Sequence, residues 1–172
     1  FSNSASTGTT IDANDQKTTE LGVSLAPVTG LTVALTDYLG NEGGQGNKTN
    51  LLDLVVGYTL GDLSLGLNAD FNSTKVKTGG VTTTDNKFTG AALYANYQIV
   101  PAFRAGVRGE FGNFKDDVAK TKTKVSEVTL TGDYAAAKNF DLVTDLRFDQ
   151  SKPDGGQSSK ANSLVVKGVL KF

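Results

Sequence analysis

The stretch LLDLVVGYTLGDLSLGLNADF, residues 51–71, decides the fold. Leu52, Leu54, Val56, Tyr58 and Leu60 take alternate positions, with Asp53, Val55, Gly57 and Thr59 between them. Gly61-Asp62 then reads as a tight turn. Leu63, Leu65, Leu67, Ala69 and Phe71 resume the alternation against Ser64, Gly66, Asn68 and Asp70. A period of two puts one set on each face of a strand, so the stretch predicts a hairpin with one apolar and one polar face.

The same pattern recurs outward from this hairpin. Ala91, Leu93, Ala95, Tyr97 and Ile99 lead through Pro101-Ala102 into Phe103, Ala105, Val107, Gly109 and Phe111. Val128, Leu130, Gly132 and Tyr134 lead through Lys138-Asn139 into Phe140, Leu142, Thr144, Leu146 and Phe148. Leu164, Val166, Gly168, Leu170 and Phe172 close the chain, and Leu21, Val23 and Leu25 turn through Pro27–Gly30 into Leu31, Val33 and Leu35. The count is about nine strands of roughly ten residues, the length of a tilted membrane strand rather than of a soluble one. Helical spacing is scarce, and no run approaches the roughly 18–20 apolar residues of a membrane helix.

Connections alternate in length. Val28–Gly30, Gly61-Asp62, Pro101-Ala102 and Lys138-Asn139 are short, whereas Gly40–Asn50, Asn72–Asn86, Lys115–Lys124 and Ser151–Asn162 read as long polar loops. Short periplasmic turns opposite long external loops are the asymmetry of outer-membrane barrels.

The aromatic residues fall at the strand ends. Tyr58, Tyr97, Phe103, Tyr134, Phe140 and Phe172 lie toward the short turns, and Phe71, Phe111 and Phe148 toward the long loops, all on the apolar face. Aromatic rings favour the headgroup level, so two girdles around an aliphatic band predict a lipid-facing wall. A soluble sandwich would place its largest rings mid-strand, where burial is deepest. The opposite face carries Asp53, Asp70, Arg104, Arg108, Glu110, Glu127, Asp133, Asp141, Asp145, Arg147, Asp149, Lys167 and Lys171, eight acids and five bases. Arg or Lys at the bilayer midplane costs about 2–4 kcal/mol on the lipid face, so these residues are expected to line a lumen. The acidic surplus predicts a mild cation preference in an open lumen, tuned by Arg104, Arg108, Glu110, Asp145, Arg147 and Lys167. Mutual pairing of the same charges in a filled interior is the alternative.

Composition narrows the function. The net charge of −1 lacks the basic excess of a nucleic-acid binder. With no Cys and no His, a Ser-His-Asp triad, a Cys-His pair and a Cys-ligated metal are excluded. Asp145 and Asp149 share a strand face, as acids in polar lumens commonly do, and no catalytic residues are assigned. The stretch Gly43–Thr49 has a faint likeness to a phosphate loop but lacks the Gly before Lys48 and the following helix. No metal-ligand spacing and no cofactor motif is found. The chain is therefore read as a non-enzyme.

The segments LLDLVVGYTLGDLSLGLNADF, KFTGAALYANYQIVPAFRAGVRGEF and VSEVTLTGDYAAAKNFDLVTDLRFDQS, with the ending SLVVKGVLKF, resemble the β-barrel porin-2 (OmpL-like) family over Leu51–Phe172. The resemblance implies integral location in the outer membrane of a Gram-negative bacterium, contact with its lipid bilayer, and passage of small solutes or ions. A terminal Phe172 after Val166, Gly168 and Leu170 fits the signal by which barrel assembly machinery recognises outer-membrane barrels. Family members are longer than this chain, so missing residues are expected upstream of Phe1. Even strand numbers in single-chain barrels then suggest about ten strands, with residues 1–17 a strand stub and loop of one barrel domain, 1–172. The expected fold is all-β, an antiparallel up-and-down transmembrane barrel. The expected role is porin-like passive diffusion, with a non-conducting structural or surface-interaction barrel as the alternative.

Overall fold

A computed structural model of the chain describes residues 18–40 and 47–171. Its strands are β1 (Thr19–Val28), β2 (Leu31–Gly40), β3 (Lys48–Leu60), β4 (Leu63–Thr78), β5 (Val81–Val100), β6 (Phe103–Asp116), β7 (Thr121–Ala137), β8 (Phe140–Pro153) and β9 (Ser159–Leu170). They form one sheet in chain order, each strand antiparallel to the next. The architecture is the all-β, up-and-down sheet expected, with no helix among the described residues. The sheet is not closed: β1 and β9 each pair with one strand among the described residues. The proposed stub at residues 1–17 and the terminal Phe172 lie outside the described residues.

Register keeps the two faces separate across all nine strands. Leu25, Val33, Val56, Leu67, Leu93, Gly109, Val128 and Phe148 succeed one another as directly paired positions, an unbroken apolar rung. One rung away, Val55, Asn68, Ala92, Glu110, Glu127 and Asp149 succeed one another on the other face. A slip of one residue would exchange the faces, and shifts in pairing are confined to strand ends.

Burial is inverted relative to a water-soluble domain. Glu127, Thr129 and Asp141 are buried, Glu127 to 7% exposure, and Ala92 is the one buried apolar residue among those described. Leu93 stays 52% exposed and Phe111 57%. Exposed large apolar side chains over a whole sheet face mark a surface covered by something other than water. The aromatic spacing gives that surface its height. Phe103 to Phe111, Phe140 to Phe148 and Thr89 (paired with Phe71) to Tyr97 are each eight residues apart. At about 3.4 Å per residue this is roughly 27 Å along a strand, close to the ~25 Å apolar band of outer-membrane barrels.

The short turns are as expected, at Thr29-Gly30, Gly61-Asp62, Pro101-Ala102 and Lys138-Asn139. Three of the four long connections differ from the reading of them as loops, and the fourth, Gly40–Asn50, lies largely outside the described residues. β4 continues to Thr78 and β5 starts at Val81, joined by Gly79-Gly80 with both φ angles positive, a tight hairpin turn. β6–β7 and β8–β9 likewise extend past the girdle and leave only 117–120 and 154–158 as connections. The polar Thr- and Lys-rich sequence ends the apolar alternation but not the backbone ladder, which needs only a partner strand. The 20 residues of β5 span roughly 65 Å of strand at about 3.3 Å each, so this hairpin rises well clear of the membrane.

The lipid-facing assignment makes a depth-dependent prediction. Val107→Arg, mid-band on the outward face, should lower folding free energy in vesicles by about 2–4 kcal/mol. Ser126→Arg, outward at the level of Phe111, should cost at most about 1 kcal/mol. Equal costs in denaturant titrations would contradict the assignment.

Candidate pore-lining surface

All thirteen charged residues predicted to face a lumen occupy the sheltered polar face, and the register brings most of them into one array. Glu110 pairs directly with Glu127, and Glu127 with Asp149, so three carboxylates stand side by side across β6, β7 and β8. The adjacent rung holds Arg108, Thr129 and Arg147. Like charges directly opposite destabilise a sheet. The two arginines answer this: Arg108 pairs with Glu110 and approaches Glu127 at 3.9 Å, and Arg147 reaches Glu127 and Asp149, both at 2.8 Å. Thr129 donates to Glu127 at 2.6 Å, and the Tyr94 ring lies 5.7 Å from the Arg108 guanidinium. Nearer the short turns, Arg104 pairs with Asp133 at 2.5 Å, Lys167 with Asp145 at 2.5 Å, and Lys171 with Asp141.

All five bases of the set therefore have an acidic partner. Of the three surplus acids, one lies among Glu110, Glu127 and Asp149, which share two arginines, and two lie apart. Asp53 and Asp70 pair directly across β3 and β4, and Asn68 donates to Asp53 at 2.7 Å, with no basic partner for either carboxylate among the described residues. The candidate charges thus divide into an ion-paired wall on β6–β9 and an uncompensated acidic pair on β3–β4. A cavity of about 430 Å³ is lined by residues from Asn68 on β4 to Ala161 on β9, among them Asp70, Glu110, Glu127, Arg147 and Asp149. No group of three or more side chains suited to hold a metal ion occurs among the described residues.

The nine girdle aromatics account for only part of the aromatic set. Tyr38, Phe88, Tyr94 and Phe114 occupy polar-face positions; alternation with Leu93 and Ala95 places Tyr94 there from sequence, and the other three were missed. Phe88 and Phe114 pair directly, with ring centroids 4.5 Å apart, on the rung just beyond Asp70. The Phe88 ring lies down over Gly90 and Gly112: a Cβ on either would come within 2.5–2.8 Å of it. Both glycines are thus needed for the ring to lie flat on the wall. The available signal was parity. Phe88 and Phe114 are even-numbered residues in strands whose odd-numbered residues face out, and glycines follow or precede them by two. Of the predicted girdle residues, Tyr58, Phe71, Tyr97, Phe111, Tyr134 and Phe148 are exposed on the outward face, and Phe103 and Phe140 are half-exposed there.

Beyond the membrane band, the β6–β7 turn is fastened to β5. The Asp117 amide donates to the Asp85 carbonyl at 2.8 Å, and its carboxylate receives Lys115 at 2.5 Å and Lys87 at 2.6 Å. The hydrogen bonds from Lys115 and Lys87 hold the Asp117 carboxyl down to about 2.

Known proteins give an independent comparison. Three solved structures of OmpT, an outer membrane protein of Vibrio cholerae, share the fold. The in-vitro folded form superposes with a TM-score of 0.72 at 15% identity, over 89% of this chain and 49% of that one. The outer-membrane expressed form gives 0.72 at 16% identity, over 89% and 49%. The trimer form gives 0.63 at 18% identity, over 83% and 49%. The chain spans about half the length of these structures. No curated protein sequence matches it. The profile of the family described as "Putative beta-barrel porin-2, OmpL-like" matches residues 1–172.

The Asp117 contact has a defined titration. A carboxyl held below its ordinary 3.8 favours the docked turn at pH values above 3.8, and that contribution is lost as pH falls through about 2. A carboxyl carbon-13 titration should place the Asp117 midpoint near 2. Lys87→Gln combined with Lys115→Gln should move it up toward 3.8. An unmoved midpoint would remove the lysines as the cause.

Proposed function

Because the chain belongs to the β-barrel porin-2, OmpL-like family, we propose that it forms the wall of an outer-membrane pore that small hydrophilic solutes and ions cross by passive diffusion. The chain is an integral outer-membrane β-barrel component in contact with the lipid bilayer. The observation that carries the pore reading is the polar face itself. Thirteen charged side chains are arrayed along one face of the sheet, and five of them (Asp70, Glu110, Glu127, Arg147 and Asp149) line a cavity of about 430 Å³. Open sheet edges are not tolerated in hydrocarbon, so β1 and β9 must both be paired in the membrane. Further strands between these edges would widen the enclosed space.

Within that pore, lumen charges act on permeating ions through the field they set up. The paired charges on β6–β9 largely cancel at a distance, and Asp53 with Asp70 leaves the net field negative on the β3–β4 side. Phe88 and Phe114 narrow the passage on the long-hairpin side of these acids without adding charge. The reading includes transport rather than catalysis, and recognition of the terminal Val166, Gly168, Leu170 and Phe172 pattern by the barrel assembly machinery.

A second reading is favoured by one specific observation: all five lumen bases are ion-paired. Such a network suits a filled, non-conducting barrel that serves a structural or surface role. Planar-bilayer recording separates the two. Discrete, reproducible conductance steps are expected, and silence from correctly folded protein would support the filled barrel.

The same recordings test the residues. In a salt gradient, Asp53→Asn with Asp70→Asn should shift the reversal potential toward lower cation preference. Arg104→Gln with Arg108→Gln should shift it the other way. An unchanged potential in both variants would discard the electrostatic assignment. Phe88→Ala should raise single-channel conductance with little change in ion preference, and unaltered conductance would remove the aromatic pair from the permeation path.

A further inference from the structure

The outward face changes character at the level of Phe111 and Phe148. Toward the short turns it is aliphatic; toward the long hairpins the outward positions become Lys87, Lys115, Lys122, Lys124, Lys152 and Lys160. Register sets several of these cations directly opposite each other: Lys87 faces Lys115, Lys115 faces Lys122, and Lys124 faces Lys152. Facing like charges weaken a sheet unless an anion compensates them. For Lys87 and Lys115 the chain supplies that anion, since Asp117 bridges the two. For Lys124 and Lys152 it supplies none: both are exposed, and neither has a carboxylate partner among the described residues.

These two lysines stand at one end of a groove of about 650 Å³ on the outward face. Asn113 and Gln150 line the groove beside them, and Phe71 and Phe111 line it toward the apolar band. Lys124 and Lys152 share a rung of the sheet with Asn113 and, on β4, Phe71, and the next outward rung toward the aliphatic wall holds Gln150, Ser126 and Phe111. A lipid presents the complementary chemistry, an anionic headgroup for the lysines and acyl chains for the rings and the aliphatic wall. Lysine is well suited to phosphate as a point charge, and a phosphate between Lys124 and Lys152 would relieve their mutual repulsion.

We propose that this groove seats a net-anionic, phosphate-bearing membrane lipid, with its headgroup on Lys124 and Lys152 and its acyl chains against Phe71 and Phe111. The site lies on the opposite face of the sheet from the lumen and does not depend on whether the pore conducts. It gives the long-hairpin side of the wall a specific attachment to the leaflet around it.

The test is lipid retention by the folded full chain in phosphatidylcholine nanodiscs doped with phosphatidylglycerol. Retained phosphatidylglycerol is counted by native mass spectrometry after partial delipidation. Wild type should retain it in preference to phosphatidylcholine. Lys124→Gln with Lys152→Gln should weaken retention roughly tenfold or more, as expected for two lysines at a membrane surface. Lys124→Arg with Lys152→Arg should keep it. Lys120→Gln with Lys138→Gln removes the same charge from connections away from the groove and should also keep it. Titration of the wild type with sodium chloride reads the same contact without mutation, and retention should fall as salt screens it. Equal retention by the wild type and the Lys124/Lys152 glutamine variant would overturn the proposal, as would equal loss in the Lys120/Lys138 variant. Displacement of the lipid by inorganic phosphate at concentrations comparable to the lipid would overturn the lipid as occupant and leave a plain phosphate site.

Discussion

A backbone amide or carbonyl in hydrocarbon has no water to bond, and leaving it unpaired costs several kcal/mol. This constraint organises the whole chain. It forces each strand to pair on both sides within the membrane, which accounts for one sheet of nine strands in strict chain order with tight turns at one end. Pairing in turn fixes the side-chain faces, because an antiparallel ladder presents every second residue to the same side. The outward face is then free to be apolar and the inward face to be polar, so Glu127 is buried while Leu93 stays exposed.

The inward charges follow from the same ladder. Once register is set, Glu110, Glu127 and Asp149 have to share one rung, since their backbone partners are fixed by strands that also carry the lipid-facing residues. Side-chain chemistry then works within that placement. Arg108 and Arg147 sit on the neighbouring same-face rung and reach across to the acids, an arrangement that holds these charges paired near the wall instead of in mid-lumen. Ion pairs held this way do not stabilise the fold greatly where water reaches them. Their consequence is spatial: they offset most of the acidic charge on β6–β9 and leave Asp53 and Asp70 without a base, on strands that carry no lumen base.

How much of this the sequence made legible depends on the range of the interaction. The faces, the four short turns and the girdle residues were readable because each rests on residues within about ten positions of one another, and period two is a strong local signal. Asp53 and Lys167 were placed on the polar face by parity alone. Their partners were not readable, because Arg104 meets Asp133 and Arg108 meets Glu127 only through pairing of separate strands. The extent of β4 and β5 was misread for a different reason. Val76, Thr78, Val81 and Thr82 lie beyond the lipid, where alternation of apolar and polar residues is no longer required, so the segment looked like a loop although Gly79-Gly80 and the β-branched residues around it suit a hairpin. Tyr38, Phe88 and Phe114 were passed over because aromatic residues were sought on the apolar face.

Phe88 and Phe114 show why an exception to the binary pattern is informative. An aromatic ring on a polar lumen face gains nothing from lipid, and a flat ring there occupies room that two neighbouring positions must give up. Gly90 and Gly112 give up that room, and both glycines weaken their strands by carrying no side chain to pack. A local cost borne by two residues to seat a third is hard to account for by stability of the sheet. The outward lysines are the same kind of departure on the other face, since Lys124 opposite Lys152 works against the ladder that aligns them. Both departures occur near the level where the apolar band ends, and the proposed readings account for both, with a permeating solute completing the contact in one case and a lipid headgroup in the other.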